Sequence, residues 1–171
     1  MAKRKLIITG LAGHGKDTVC EILRDRFGYS FESSSRILLK EVIFPVLKEK
    51  YGYKSEEECY LDRVNHRAEW FELLKSYNTP DKTALGTLIF EKYDIYCGLR
   101  NREELAALRE KYPDLLVFWV SADKRIGLSE FESSITITEK DCTATIENNG
   151  SVEDLVNCLT WASGYPLYLW N

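Results

Sequence analysis

The chain has 171 residues, 44% of them hydrophobic and 29% charged, with a formal net charge of −4. That length suits one domain with a sizeable core, and the acidic balance excludes a general attraction to nucleic acid. No apolar run is long enough to cross a bilayer, and the basic start, Met-Ala-Lys-Arg-Lys, leads into a glycine loop rather than a signal peptide. The five cysteines (Cys20, Cys59, Cys97, Cys142, Cys158) are scattered, odd in number and without a C-x-x-C pair. This argues against a zinc site or a disulfide framework and leads us to expect a cytoplasmic protein with no membrane partner.

Short β-type runs alternate with longer helical ones, which predicts an α/β fold with a parallel sheet. Leu6 to Thr9 is the first strand, and an amphipathic helix runs from about Lys16 to Arg26 with Gly28 as its stop. Tyr29 to Ser33 is a short second strand. Ser34 or Ser35 caps a helix through Leu38, Val42 and Leu47, with Pro45 a kink. Ser55 and Glu58 form a capping box for a helix over roughly Glu56 to Ser76, and Thr79-Pro80-Asp81 starts another through Leu85 and Ile89. Asp94 to Cys97 is the third strand, Arg102 to Lys111 a helix, and Leu115 to Val120 a buried central strand. Residues 121–141 are polar, with one alternating patch at Ser134 to Thr138. Thr143 to Glu147 is the last strand, and Ser151 with Asp154 caps a final helix to about Trp161. The aromatic tail from Gly164 to Asn171 either lies on the domain or meets a second subunit, which would make a homodimer.

The segment between the first strand and first helix reads Gly-Leu-Ala-Gly-His-Gly-Lys-Asp-Thr, Gly10 to Thr18. Gly10, Gly15 and Lys16 match the phosphate-binding pattern G-x-x-x-x-G-K-[ST] in its strand–loop–helix context. The glycines let successive N–H groups turn toward one phosphate, and the helix N-terminus adds about half a positive charge. Gly10, Ala12, Gly13, His14, Gly15, Lys16, Asp17 and Thr18 are therefore the expected ATP-binding residues, with Lys16 bridging the β- and γ-phosphates. No role is assigned to the His14 side chain. Asp17 stands where a serine or threonine usually ligates Mg²⁺. An aspartate beside ATP is repelled unless a metal or proton donor accompanies it. Asp17 thus either binds Mg²⁺, directly or through water, or acts as a base toward the acceptor. The third strand ends in Cys97-Gly98 where many such proteins carry an acid, and Asp94 lies at its other end, so Asp17 is expected to replace that acid.

Phosphoryl transfer needs cations around the moving charge. Arg36 follows the second strand, and Arg100 lies at the carboxyl end of the third, where open α/β sheets bind ligands. Arg63 and Arg67, in Asp62-Arg-Val-Asn-His-Arg67, fall one helical turn apart and so on one face. Arg125 begins the polar segment after the fourth strand. His66 shares the Arg63–Arg67 stretch, and Trp70 and Phe71 follow it, suited to base stacking or to core packing.

Together these residues resemble the nucleoside monophosphate kinase group. The Gly10–Thr18 loop, Phe31-Glu-Ser-Ser-Ser-Arg36, the strand ending Cys-Gly-Leu-Arg-Asn101, and Thr145-Ile-Glu-Asn-Asn-Gly-Ser151 carry the likeness. It is nearest to phage-type deoxynucleoside monophosphate kinases and to dephospho-coenzyme A kinase-like proteins. It spans nearly the whole chain, although only the loop is specific by itself. The resemblance implies a three-layer fold with a five-stranded parallel sheet ordered 2-3-1-4-5. One kinase domain would occupy residues 1–171, with a helical acceptor-binding region at about 34–92 and a short lid at about 123–141. It implies that Arg36 and Arg100 hold the acceptor phosphate, that Arg125 is the lid arginine, and that Asn148 to Ser151, Asn149 among them, lie near adenine. The lid departs from the family pattern, because residues 126–141 contain no arginine.

The expected activity is ATP- and Mg²⁺-dependent phosphorylation of a (deoxy)nucleoside monophosphate, in the host cytoplasm if the protein is phage-encoded. An alternative resemblance is to phage kinases acting on 5-hydroxymethyluracil in DNA, with Arg63, Arg67, Lys75 and Lys82 as a basic stripe. A third reading is a nucleotide-binding regulatory protein without efficient transfer.

Overall fold

A computed structural model describes residues 3–126 and 135–162. Its centre is five parallel strands in the order β2-β3-β1-β4-β5: β1 Leu6–Thr9, β2 Phe31–Ser33, β3 Ile95–Cys97, β4 Leu116–Ser121 and β5 Ala144–Glu147. The register aligns Ile8 with Cys97 and Phe118, and Ser33 with Cys97, so β1, β2 and β3 all end at one edge. β1, β3 and β4 are buried along their whole length, as parallel strands covered on both faces must be.

Helices cover both faces. On one face α1 (Lys16–Phe27) and α9 (Val152–Ala162) pack Val19, Leu23, Leu155 and Leu159 against Leu6, Ile8, Phe118 and Ile146. The other face carries α2 (Ser34–Leu38), α3 (Phe44–Tyr51), α4 (Glu56–Asp62), α5 (Arg67–Asn78), α6 (Ala84–Lys92) and α7 (Arg102–Lys111) over Ile7, Tyr96, Val117 and Trp119. A short helix α8 (Asp123–Ile126) follows β4. No helix among the described residues is long and apolar enough to cross a membrane.

Three local readings need correction. The helix expected through Pro45 is continuous but passes through a π-helical turn, Leu39–Ile43, before α3. Pro45 has no N–H to give, and the wider turn directly before it accommodates that without a sharp kink. The helix expected over Glu56–Ser76 is two helices. Asp62 ends the first because its carboxylate accepts from Asn65 Nδ2 at 2.6 Å and pairs with His66 Nε2 at 3.1 Å, closing a side-chain turn that competes with the helical ladder. Arg63 and Arg67 therefore do not share one helical face: Arg63 is the C-cap of α4 and Arg67 opens α5. Finally, α6 begins at Ala84, after Asp81 has accepted from the Thr83 N–H and hydroxyl, each at 2.8 Å.

Candidate active site

The loop between β1 and α1 is shaped by glycines in left-handed backbone: Gly10 at φ 139°, Gly13 at 76° and Gly15 at 93°. A Cβ at Gly10 would lie 2.5 Å from the Val120 carbonyl oxygen, and one at Gly15 would run into Asn148 Nδ2. Only glycine fits either place. Lys16 begins α1, and its ammonium donates to the Gly10 and Leu11 carbonyls at 2.9 and 2.7 Å, which bends it back over the loop. The helix N-terminus, the turned backbone and this lysine form an anion cradle.

The cradle is braced from below by two buried polar side chains. His14 is fully buried, and its Nδ1 accepts from the Ala122 N–H at 3.0 Å. The imidazole proton then sits on Nε2, which has no partner among the described residues. The His14 side chain thus turns into the protein, and only its backbone faces the loop. Asn148 Nδ2 donates to the His14 carbonyl at 2.9 Å, so the loop after β5 locks the cradle. The neighbouring Asn149 is used otherwise: it accepts from the Lys124 N–H at 3.1 Å and donates to Glu147 at 3.0 Å. Arg125 donates through Nε to the Asn148 carbonyl at 3.3 Å, which ties α8 to the same loop. The remainder of the expected lid, 127–134, and the tail from 163 lie outside the described residues. Residues 135–138 lead back onto the sheet, with Ile135 and Ile137 buried and the Thr136 N–H donating to the Arg100 carbonyl at 2.9 Å.

Asp17 is exposed at the first turn of α1, and its Oδ1 accepts from the Cys97 thiol at 3.5 Å. The carboxylate therefore stands at the carboxyl end of β3, the place where the sequence lacks an acid. Asp94 is at the opposite end of that strand, accepting from Ser30. Among the described residues there is no cluster of three or more His, Cys, Asp or Glu able to hold an ion. A lone exposed carboxylate beside a phosphate cradle fits Mg²⁺, which keeps its waters and binds through one or two carboxylates plus substrate phosphates.

From Asp17 a continuous polar edge leads across the strand ends. Gly98 adopts φ 91° beside Ser34, the Ser33 hydroxyl is 2.8 Å from that of Ser35, and the Ser35 hydroxyl is 3.2 Å from the Tyr60 hydroxyl. The guanidinium carbons of Arg36 and Arg63 lie 3.6 and 3.8 Å from the Tyr60 ring centroid. Two such groups overlap unless they take opposite faces, so the ring is sandwiched between cations. Arg63 also donates to the Tyr60 carbonyl at 2.7 Å, and Arg36 forks onto Glu57 at 2.5 and 3.3 Å. Hydrogen bonding from Arg36 holds the Glu57 carboxyl below the usual carboxylate range. The structure thus brings Arg36 and Arg63 together. Arg100 is exposed in the loop after β3, and Arg67 is exposed at the start of α5. His66 stacks on Tyr51 at 4.2 Å, Trp70 is buried, and Phe71 is exposed. Lys82 pairs with Glu103 at 2.6 Å.

Asn148 lay in the segment expected near adenine, and the structure shows it bonding the cradle instead. Tyr60, Glu57 and the Cys97 thiol contact had no sequence signal of their own, because none belongs to a spaced motif. The buried Glu104 is a further example. It accepts from Tyr96 Oη at 3.1 Å and Asn78 Nδ2 at 3.3 Å, and burial raises its carboxyl to about 7.

No family model matches the sequence. The chain is 22% identical over 151 residues to a guanylate kinase of Fusobacterium nucleatum, covering 84% of this chain and 77% of that protein. Its structure is similar to that of a sugar kinase from Janibacter sp. HTCC2649, with a TM-score of 0.53 at 15% identity over 99% of both chains. It is also similar to a gluconokinase from Sinorhizobium meliloti 1021, with a TM-score of 0.50 at 16% identity over 98% of this chain and 95% of that one. With the strand order 2-3-1-4-5 and the glycine cradle, these likenesses establish the α/β fold of a P-loop kinase.

Proposed function

We propose that the protein transfers the γ-phosphoryl group of ATP to a (deoxy)nucleoside monophosphate, giving the diphosphate. The observation that supports this acceptor is the stack Arg36–Tyr60–Arg63, joined to Asp17 through the serine edge. Two guanidinium groups flanking one ring suit a dianionic phosphate. The guanylate kinase likeness points the same way.

The cradle residues Gly10 to Thr18 hold the triphosphate through backbone N–H groups, with Lys16 turning from the loop carbonyls to the phosphates. When bound with ATP, Mg²⁺ would supply positive charge to offset that of the phosphates. Asp17 is the residue that would hold it. Arg36 and Arg63 orient the acceptor phosphate, Arg100 and Arg67 stand at its margin, and Arg125 fixes the loop that carries Asn148 and Asn149. Residues 34–92 are the acceptor-binding region. An acceptor phosphate is already anionic, so attack needs little base catalysis.

A hydroxyl acceptor is the second reading. One observation favours it: the exposed Asp17 carboxylate stands where a base would take a hydroxyl proton. One experiment separates the readings. γ-Labelled ATP and Mg²⁺ are offered with each (d)NMP, gluconate, duplex DNA containing 5-hydroxymethyluracil, or no acceptor. Label on a mononucleotide supports the proposal. Label on gluconate or DNA replaces it with the hydroxyl reading, and ATP binding without transfer leaves a nucleotide-binding regulator.

A further inference from the structure

Cys20 and Cys97 are the two buried thiols nearest the cradle, and the transfer chemistry leaves both unused. Cys20 lies one helical turn after Asp17 on α1 and is fully buried. Cys97 is the last residue of β3 and is 4% exposed. The Cys97 thiol donates to Asp17 Oδ1 at 3.5 Å. Each thiol has one proton to give. A carboxylate oxygen is a far better acceptor than a thiol sulfur, so the Cys97 proton goes to Asp17. The neighbouring Cys97, with burial added, pushes the Cys20 thiol well above its ordinary value, so Cys20 stays a neutral thiol of the core.

The contact thus runs from a buried thiol to the exposed carboxylate. An acid at residue 97 would repel Asp17 across this distance, and an apolar residue would leave its carboxylate free to rotate. A thiol supplies one weak donor and is otherwise a small apolar side chain suited to the core.

We propose that Cys97 is a positioning residue: its thiol holds Oδ1 of Asp17 against the end of β3 and leaves the second carboxylate oxygen open toward the phosphate cradle. This rests on the reading of Asp17 as the metal-holding residue given above. In effect, the acid that many P-loop proteins carry on the strand is here carried by the helix, and the strand keeps only a donor to aim it.

The test is Mn²⁺ binding to the protein–ADP complex, followed by EPR, together with the Mg²⁺ concentration for half-maximal turnover. Cys97→Ala weakens Mn²⁺ binding about three- to tenfold, the range of one net hydrogen bond, while Cys97→Ser, which keeps a donor, stays within about twofold. Cys97→Val serves as the donor-less variant if the alanine protein folds poorly. In an Asp17→Asn background, Cys97→Ala has no further effect on Mn²⁺, because the metal-holding carboxylate that the thiol aims is gone. An unchanged Cys97→Ala or Cys97→Val, a serine variant as weak as the alanine one, or an equal loss in the Asp17→Asn background would each overturn the role of Cys97. If Asp17→Asn itself leaves Mn²⁺ binding and Mg²⁺ dependence untouched, the reading of Asp17 fails and takes this inference with it. Loss with Asp17→Asn but none with the donor-less variants removes Cys97 alone.

Discussion

The proposed donor and acceptor sides are built in opposite ways. On the donor side, left-handed glycines set the backbone, and two buried polar side chains, His14 and Asn148, lock it from beneath. On the acceptor side the helices are short and interrupted, by a π-helical turn before Pro45 and by the Asp62–His66 turn. Their cations are half-exposed and held by an aromatic ring and a surface carboxylate. In the proposed reading, the phosphate common to ATP-dependent transfers is met by glycine-shaped backbone, and the variable acceptor by side chains on short, interrupted helices.

The comparison breaks most readily at Lys16. Lys16→Met is expected to lower turnover by about 10²–10³-fold, as loss of a donor to developing charge does, with melting temperature little changed in the same preparation. Gly10→Ala attacks the backbone instead: its Cβ would meet the Val120 carbonyl at 2.5 Å in a left-handed residue. Strain and overpacking together cost about 3 kcal/mol, readable as a lower urea midpoint.

Glu104 tests the core beneath the acceptor side through pH. Burial raises its carboxyl to about 7 from 4.5. Below about pH 4.5 both folded and unfolded states are protonated and there is no penalty. As pH rises, the unfolded state ionises first, and stability falls until the folded state also ionises near pH 7. Integrated over that window the loss is about 3 kcal/mol. Glu104→Gln is expected to flatten the fall in stability between about pH 5 and 7, measured by urea unfolding at a series of pH values.

Asn148→Ala strips the lock from the cradle. Leaving the buried His14 carbonyl unmet costs about 2 kcal/mol, or about 4–8 °C in melting temperature for a chain of this size, with a higher KM for ATP. The smallest effect belongs to the acceptor side. Glu57→Gln releases the Arg36 fork and is expected to lower the acceptor KM about two- to threefold with the ATP KM unchanged, in steady-state kinetics that vary each substrate in turn.

The same division explains what the sequence disclosed. The cradle is legible because its spacing is covalent: Gly10, Gly15 and Lys16 must stand at set intervals between a strand and a helix. The sheet order followed from the likeness carried by that loop and three later segments. Alternation and continuous apolar runs located most strands to within a residue or two, and Arg102–Lys111 agrees with the helix found. The break at residues 63–66 was hidden because Asp62, Asn65 and His66 look like ordinary helix-surface residues until their side chains are seen to bond one another. Tyr60 between two arginines joins residues from separate helices, and Cys97 on Asp17 joins residues 80 positions apart. Neither leaves a periodic trace. Asn149 was singled out from its segment, whereas its neighbour Asn148 is the residue that reaches the cradle.

The account turns on phosphoryl transfer from a cradled ATP to a small anionic acceptor. Its most direct test is chromatography of γ-labelled ATP incubated with the wild-type protein, Mg²⁺ and a mixture of the four dNMPs, beside Lys16→Met. The account predicts a labelled deoxynucleoside diphosphate in the first reaction and its near absence in the second. Tight ATP binding with no label on any mononucleotide would contradict it.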